Sequence, residues 1–305
     1  MAAFTVFSEP ALRNFLRIFE LGDLVAYSPI STGIENSNYF VTLKAEDGPA
    51  TDYVLTINES LACDEAPFFS QLLHQLAQQG LPVPEPRRTY NGRSDSSFCD
   101  KPTWLFPKLA GTHPSTVSLR QCSLIGQALA QLHTAAQGCR ASRANPYDQH
   151  WASSTLTTVS AKLSTGDRSL FNKILAESQT LAGSDLPAGL IHGDLFRDNT
   201  LFEGEVLTGI IDFYHACHDF LAQDLAITIN DWCTEADGKF DGGRQQALLD
   251  GYEQVRPLTE AETKALPALQ RVAAMRFALT RFLSGDGTTF LKDPQEFLRI
   301  ARNLT

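Results

Sequence analysis

The stretch from Gly189 to Phe213, GLIHGDLFRDNTLFEGEVLTGIIDF, narrows most sharply what this chain can fold into. Leu190 and Ile191 lead into the polar run His192 to Asn199. Leu201 and Phe202 are followed by the turn Glu203-Gly204-Glu205, and Leu207 to Ile211 lead to Asp212. Each apolar run is too short for a helix and is closed by Gly or polar residues, which predicts strand, loop, strand, turn, strand. Asp194, Asn199 and Asp212 then sit at the mouths of closely spaced strands. Phosphoryl transfer needs such a set: one group to orient a hydroxyl in line, and hard oxygen ligands to hold Mg2+ on the phosphates.

Asp194 is the expected base. A carboxyl of ordinary pKa, about 3.9, cannot strip an alcohol in the ground state, but it can orient the oxygen and take the proton as the P–O bond forms. Asn199 and Asp212 supply oxygen ligands suited to Mg2+. His192 is expected to hold the loop rather than titrate. Arg197 is expected to stabilise phosphoryl charge or to pair with a substrate carboxylate. Loops rich in Asp and Asn also form turns with no catalysis implied. The longer pattern, H-x-D-x4-N between strands and a D-F closing an apolar run, favours chemistry.

At 305 residues and 33.5 kDa the chain is long enough for two lobes with a shared cleft. A net charge of −10 argues against nucleic acid or an anionic membrane as the main partner, so local donors and a metal ion must hold any phosphate. Six cysteines are scattered without a C-x-x-C pair, which predicts reduced packing thiols rather than a zinc site or a disulfide framework. The N-terminal segment mixes Glu9, Arg13, Arg17 and Glu20 into its apolar residues and reads as an amphipathic helix, not a signal peptide. Apolar runs fall well short of the roughly twenty residues that span a bilayer. Cytoplasm is the expected compartment.

Along the chain, a helix is predicted over 9–21, then strands over Leu24–Ile30, Asn38–Lys44 and Asp52–Asn58. The loop Ser31 to Asn38 has the small polar character of a phosphate-covering loop and equally that of an ordinary hairpin turn. Asp64–Gln79 reads as a helix ended by Gly80, Asn91-Gly92 as a hairpin turn, and Pro102–Leu109 as an apolar run. Ser118 and Gln121 form a capping box for a helix through His133, 140–165 reads as irregular, and 167–181 as a helix. Helical segments follow at Asp219–Cys233, near 243–254, from Thr259, whose Glu262 completes another capping box, and near Pro294. The shift from strands to helices near residue 110 predicts an α+β lobe, a hinge at Phe106–Gly111 and a larger helical lobe.

HGDLFRDN followed by IIDF resembles the central motif of the aminoglycoside phosphotransferase/choline kinase superfamily, which shares the protein-kinase fold. Within it, GIENSNYF, YVLTINE, GLPVPEP, HGDLFRDNTLFEG and DFYHACHDFLAQDLAITINDWC are similar to the homoserine kinases of this type. The resemblance spans nearly the whole chain. It implies a two-lobed α+β fold, with residues 1–107 an antiparallel-sheet nucleotide lobe and 108–305 a mainly helical catalytic lobe. It implies ATP and Mg2+ as cofactors, Asp194 as catalytic base, and Asn199 and Asp212 as metal ligands. Gly33, Ile34, Glu35, Asn36, Ser37 and Asn38 would form the nucleotide loop, with Phe106 and Lys108 on the adenine side. Asp224 would be a structural carboxylate behind the catalytic loop. Thr56 stands where the wider kinase pattern has a phosphate-binding Lys, which leaves open whether Lys44, Lys108 or the loop N–H groups and metal take that part.

The implied activity is phosphorylation of the homoserine hydroxyl by ATP, feeding threonine synthesis. Homoserine is a zwitterion, so its pocket needs an acceptor for ammonium and a donor for carboxylate. Tyr214, Asp231 and Trp232, close in sequence to Asp212, are the expected pocket residues, with Asp231 for the ammonium and Arg197 for the carboxylate. Core packing is the alternative for Trp232, a satisfied buried histidine for His133, and solvent exposure for Lys108 and Arg276. A kinase of the same fold acting on choline, hydroxylysine or an aminoglycoside remains an open alternative, as does a nucleotide-binding module without catalysis.

Overall fold

The structure, a computed structural model, describes residues 4–30, 35–235, 237–284 and 292–305. The chain divides into two units, residues 1–110 and 111–305.

In the first unit, α1 (Glu9–Leu16) begins at Ser8, whose hydroxyl accepts the Ala11 N–H, with Pro10 in the first turn. A 3-10 turn, Arg17–Phe19, follows and ends at Glu20 with φ 53°, so the α-helix is shorter than predicted. Then come β1 (Asp23–Pro29), β2 (Asn36–Lys44), β3 (Ala50–Asn58), α2 (Ala66–Gln78), β4 (Ser96–Phe98) and β5 (Lys101–Pro107). The strands form one antiparallel sheet in the order β1-β2-β3-β5-β4. Side-chain alternation puts Tyr53, Leu55 and Ile57 of β3 and Leu105 of β5 in one core with Leu12, Phe15 and Leu16 of α1. Trp104 points to the opposite face, edge-on to Phe69 of α2, and donates its Nε1–H to Ser70 Oγ at 2.9 Å. The hairpin turns at Cys99 and Asp100, both at positive φ (54° and 60°), and not at Asn91-Gly92. Thr89 N–H instead closes on Arg93 O at 2.8 Å, an isolated turn with no strands to extend it.

The second unit carries α3 (Leu119–Ala135), α4 (Gln149–Val159), α5 (Thr165–Ala182), β6 (Ala188–Ile191), β7 (Thr200–Glu203), β8 (Val206–Ile210), β9 (Cys217–Phe220), α6 (Leu221–Trp232), α7 (Gly242–Glu253), α8 (Glu260–Leu283) and α9 (Gln295–Asn303). The predicted capping boxes of α3 and α8 are both formed. Helix α4 overturns the irregular reading of its segment: Asp148 caps it by accepting the Trp151 N–H, while its Ser and Thr residues hide the period. Eleven of the twelve residues of α6 are buried, which makes it the central helix of the unit rather than a surface one. A core of Phe171, Phe196, Ile227, Phe277 and Phe297 joins the surrounding helices. Strands β7 and β8 pair around the Glu203–Val206 turn, and β6 pairs with β9, so both ends of the Gly189–Phe213 stretch are anchored in ladders. No described helix is long and apolar enough to cross a membrane.

Candidate active site

The loop from His192 to Asn199 leaves β6 and returns at β7, and buried acceptors fix its path. Gly193 sits at φ 77°, where a Cβ would stand 2.7 Å from His215 O, so only glycine fits the bend. Asp224, fully buried on α6, accepts the His192 N–H at 2.7 Å and the Gly193 N–H at 2.8 Å. His133 Nε2 donates to the same carboxylate at 3.1 Å, and its Nδ1 faces Tyr252 Oη at 2.8 Å. Arg256 then bridges Tyr252 Oη at 3.1 Å and Glu262 Oε1 at 2.8 Å, tying the loop support to the first turn of α8. Burial would push the Asp224 carboxyl up, but the hydrogen bond and charge of His133, with His192 and the Gly193 N–H, hold it below the usual carboxylate range. His133 is therefore a satisfied buried histidine.

His192 is itself wholly buried. Its Nε2 donates to Ile211 O at 3.1 Å and its Nδ1 accepts the Asp194 N–H at 3.2 Å. Burial lowers its pKa to about 4, so the ring is neutral and fixes one tautomer. It positions Asp194 and touches no reacting atom. Asn199 Nδ2 donates to the Asp194 carbonyl at 2.8 Å and to its Oδ2 at 3.0 Å, which holds the carboxylate in place. The amide oxygen of Asn199 accepts no hydrogen bond from the described residues. Asp212 lies past the end of β8 at φ 64°, a left-handed conformation that costs a non-glycine residue on the order of 1 kcal/mol or more. Asn199 Oδ1 and the Asp212 carboxylate are hard oxygen donors of the kind Mg2+ takes alongside phosphate oxygens and water. No group of three or more His, Cys, Asp or Glu that could hold a metal ion occurs among the described residues.

Three expected roles are corrected. Arg197 and Asp231 are taken up with each other: Asp231 Oδ2 accepts the Arg197 N–H at 2.7 Å and Nε–H at 3.0 Å, and Oδ1 accepts Nη2–H at 3.4 Å. Each charge is thus met by the other, because the last turn of α6 runs directly beneath the loop. Trp232 is fully buried and donates Nε1–H to Leu195 O at 3.1 Å, so it packs the core behind the loop. Tyr214 occupies the 3-10 turn after Asp212, and its carbonyl accepts from Arg143 Nη1 at 3.4 Å. Lys292, which the sequence reading passed over, lies beside the loop with Nζ 2.9 Å from Asp198 Oδ2.

In the first unit, Asn36, Ser37 and Asn38 belong to β2 rather than to a loop, and Gly33 and Ile34 lie outside the described residues. Ser37 is fully buried, its hydroxyl bonded to Glu59, while Glu35 directly precedes the strand. Thr56 donates to Asn38 Oδ1 at 2.7 Å. Phe106 is buried near the end of β5, whereas the Lys108 ammonium reaches Asp52 at 3.1 Å over the Phe40 ring. A half-buried ion pair also lies in this unit. Lys101 pairs with Glu59, and Thr5 and Ser37 complete that carboxylate's hydrogen bonds.

A cavity of about 560 Å³ opens within the second unit near the start of the His192–Asn199 loop, in the size range of small-molecule sites. Trp151 of α4, Ile191 of β6, Asp219 of β9, and Met275 and Arg276 of α8 line it. Arg276 Nη1 donates to Gly193 O at 2.5 Å, and the guanidinium lies 4.0 Å from the Tyr147 ring and 4.4 Å from that of Phe277. The exposure expected of Arg276 from its sequence is thereby replaced by a fixed place next to the residue before Asp194. Tyr147 is held in turn by its hydroxyl, 3.1 Å from His215 Nδ1.

Residues 26–258 match the phosphotransferase enzyme family. The chain is 39% identical to a homoserine kinase of Methylobacillus flagellatus, an alignment covering 99% of this chain and 95% of that protein. It is 36% identical to a homoserine kinase of Neisseria meningitidis serogroup B over the full length of both. Among solved structures, an amicoumacin kinase in complex with AMP-PNP and Ca2+ superposes with a TM-score of 0.72 at 16% identity, over 98% of this chain and 92% of that one.

Proposed function

The chain belongs to the phosphotransferase enzyme family, and from that premise we propose that it transfers the terminal phosphoryl group of ATP to the side-chain hydroxyl of L-homoserine, giving O-phospho-L-homoserine for threonine synthesis. The observation that carries this reading is the end-to-end likeness to homoserine kinases, with the Asp194 loop intact and held from inside by Asp224.

Asp194 accepts a hydrogen bond from the acceptor hydroxyl, aims its oxygen at the phosphorus, and takes the proton as the new P–O bond forms and ADP leaves. Asn199 keeps the Asp194 carboxylate aimed, and neutral His192 keeps the loop in register beneath it. Asn199 Oδ1 and the Asp212 carboxylate would hold Mg2+, which when bound shields the charge on the phosphates. Glu35, Asn36, Ser37 and Asn38, with Gly33 and Ile34 before them and Phe106 and Lys108 after, are the proposed nucleotide residues. The test is a coupled ADP-release assay with ATP, Mg2+ and a panel of homoserine, hydroxylysine, choline and aminoglycosides. Homoserine is expected to give the highest kcat/KM. Turnover of another alcohol with homoserine left untouched would overturn the acceptor and keep the chemistry.

A further inference from the structure

Arg276 and Asp219 line the same cavity, and neither has an ion-pair partner among the described residues. Arg276 uses Nη1 on Gly193 O, while its buried Nε has no acceptor and Nη2 donates to no described atom. That leaves vacant the Nε–Nη2 edge, which a carboxylate takes in bidentate fashion. A buried donor without an acceptor is costly, and stacking of the guanidinium between Tyr147 and Phe277 prevents it from swinging out to water. Asp219 has the opposite need. Its Oδ1 accepts the Phe220 N–H at 2.7 Å and its Oδ2 accepts from Asn145 Nδ2 at 2.6 Å, both neutral donors. Burial pushes its carboxyl up, and the charge of Arg276 offsets part of that, so the two groups feel each other across the cavity without pairing. A cation without an anion and an anion without a cation, facing one apolar-walled space, form the complement of a zwitterion.

We propose that Arg276 and Asp219 bind the α-carboxylate and the α-ammonium of an amino-acid acceptor, with its methylenes against Ile191, Trp151 and Met275. Its hydroxyl is left for Asp194, the residue after the carbonyl that Arg276 holds. This rests on the proposed phosphorylation of homoserine and names the residues that select it. They replace Arg197 and Asp231, whose charges are closed on each other. The same pair disfavours choline, which offers no carboxylate to the guanidinium.

Two truncated acceptors separate recognition from support of the loop. 3-Aminopropan-1-ol is homoserine without its carboxylate, and 4-hydroxybutanoate is homoserine without its ammonium. Arg276→Met is expected to lower kcat/KM for homoserine on the order of 100-fold more than that for 3-aminopropan-1-ol, which loses only what the missing contact to Gly193 costs, so the preference between them collapses. Asp219→Asn does the same for the pair homoserine and 4-hydroxybutanoate, and Arg276→Lys regains part of the loss. If Arg276 merely braced Gly193, both acceptors would slow together and the ratio would hold, which overturns the assignment. Calorimetric titration of homoserine into the protein with AMP-PNP supplies the second arm, and thermal melting confirms that each variant is folded. Binding by the wild-type protein that both variants lose supports the pocket even if no phosphate is transferred, an outcome that sinks only the activity. Equal binding by wild type and variants overturns the pocket and leaves the activity standing. No binding by any of them, with no turnover, overturns both.

Discussion

Two arginine–aspartate sets in the same unit contrast in what they leave open. Arg197 and Asp231 share three hydrogen bonds, and the pair closes the underside of the His192–Asn199 loop. Arg276 and Asp219 share none, and both line one cavity without an ion-pair partner among the described residues. In sequence the first set looks the better substrate clamp, because Arg197 lies inside HGDLFRDN and Asp231 ends the helix after Asp212. Proximity to the motif is what removes it: α6 passes so close to the loop that the two charges find each other. The groups that stay available are those on separate elements, one on α8 and one on β9, lining the same cavity.

The largest effect expected lies where the closed and open regions meet. Asp194→Asn should lower kcat about 10³-fold, the scale of a lost general base, while homoserine and nucleotide bind as before. Stopped turnover with intact binding would place the chemistry on the loop and recognition on the cavity wall; retained turnover would move the base elsewhere. Asp224→Asn comes next and acts on the closed region only. It leaves two loop N–H groups and His133 with a neutral partner that also carries its own donors, a change of about 4 kcal/mol for a fully buried charge network. Urea unfolding measures it. A loss under about 1 kcal/mol would mean that the loop does not depend on this carboxylate.

What could be read in advance divides along the same line. The strands of the Gly189–Phe213 stretch were legible because short apolar runs between glycines and charges have one good solution, and β6, β7 and β8 follow them closely. The α3 and α8 caps were legible because a capping box is local chemistry. Helix α4 was not: its Thr and Ser residues weaken the helical period, and its N-cap Asp148 follows a segment without pattern. The true hairpin turn, Cys99-Asp100, carries neither glycine nor asparagine, so the stronger Asn91-Gly92 signal drew the prediction away. Trp232 and Asp231 sat in the right helix, but which face of α6 meets the loop is a tertiary fact. Arg276 is 82 residues from Asp194 by numbering, and no local pattern tells a stacked guanidinium from a solvated one.

Acid offers a graded test of the closed region. His192 has its pKa lowered from 6.5 to about 4 by burial, so as pH falls the unfolded chain takes up the proton first. Its contribution is whole above about pH 6.5 and is lost progressively toward pH 4, a decrease of about 3 kcal/mol in folding stability. Asp224, also held below its usual range, adds a further loss in the same direction below its unfolded pKa. Urea midpoints across this range should fall steadily, and the His192 ring followed by NMR should remain neutral to about pH 4. A ring titrating in the ordinary histidine range would mean that the loop opens to water.

Asp231→Asn is the smallest expected change and the sharpest control on the two arginine–aspartate sets. The amide oxygen of Asn can still accept one of the three Arg197 donors, so the cost is about 2 kcal/mol of stability, the scale of hydrogen bonds to a charged group. Because Asp231 faces Arg197 and not the cavity, the preference for homoserine over 3-aminopropan-1-ol and 4-hydroxybutanoate should survive, even if kcat drops with a loosened loop. Asp219→Asn should show the reverse, a lost preference with little loss of stability. If Asp231→Asn erased the preference while Asp219→Asn kept it, the closed pair must open when substrate binds, and the contrast between the two sets would be inverted.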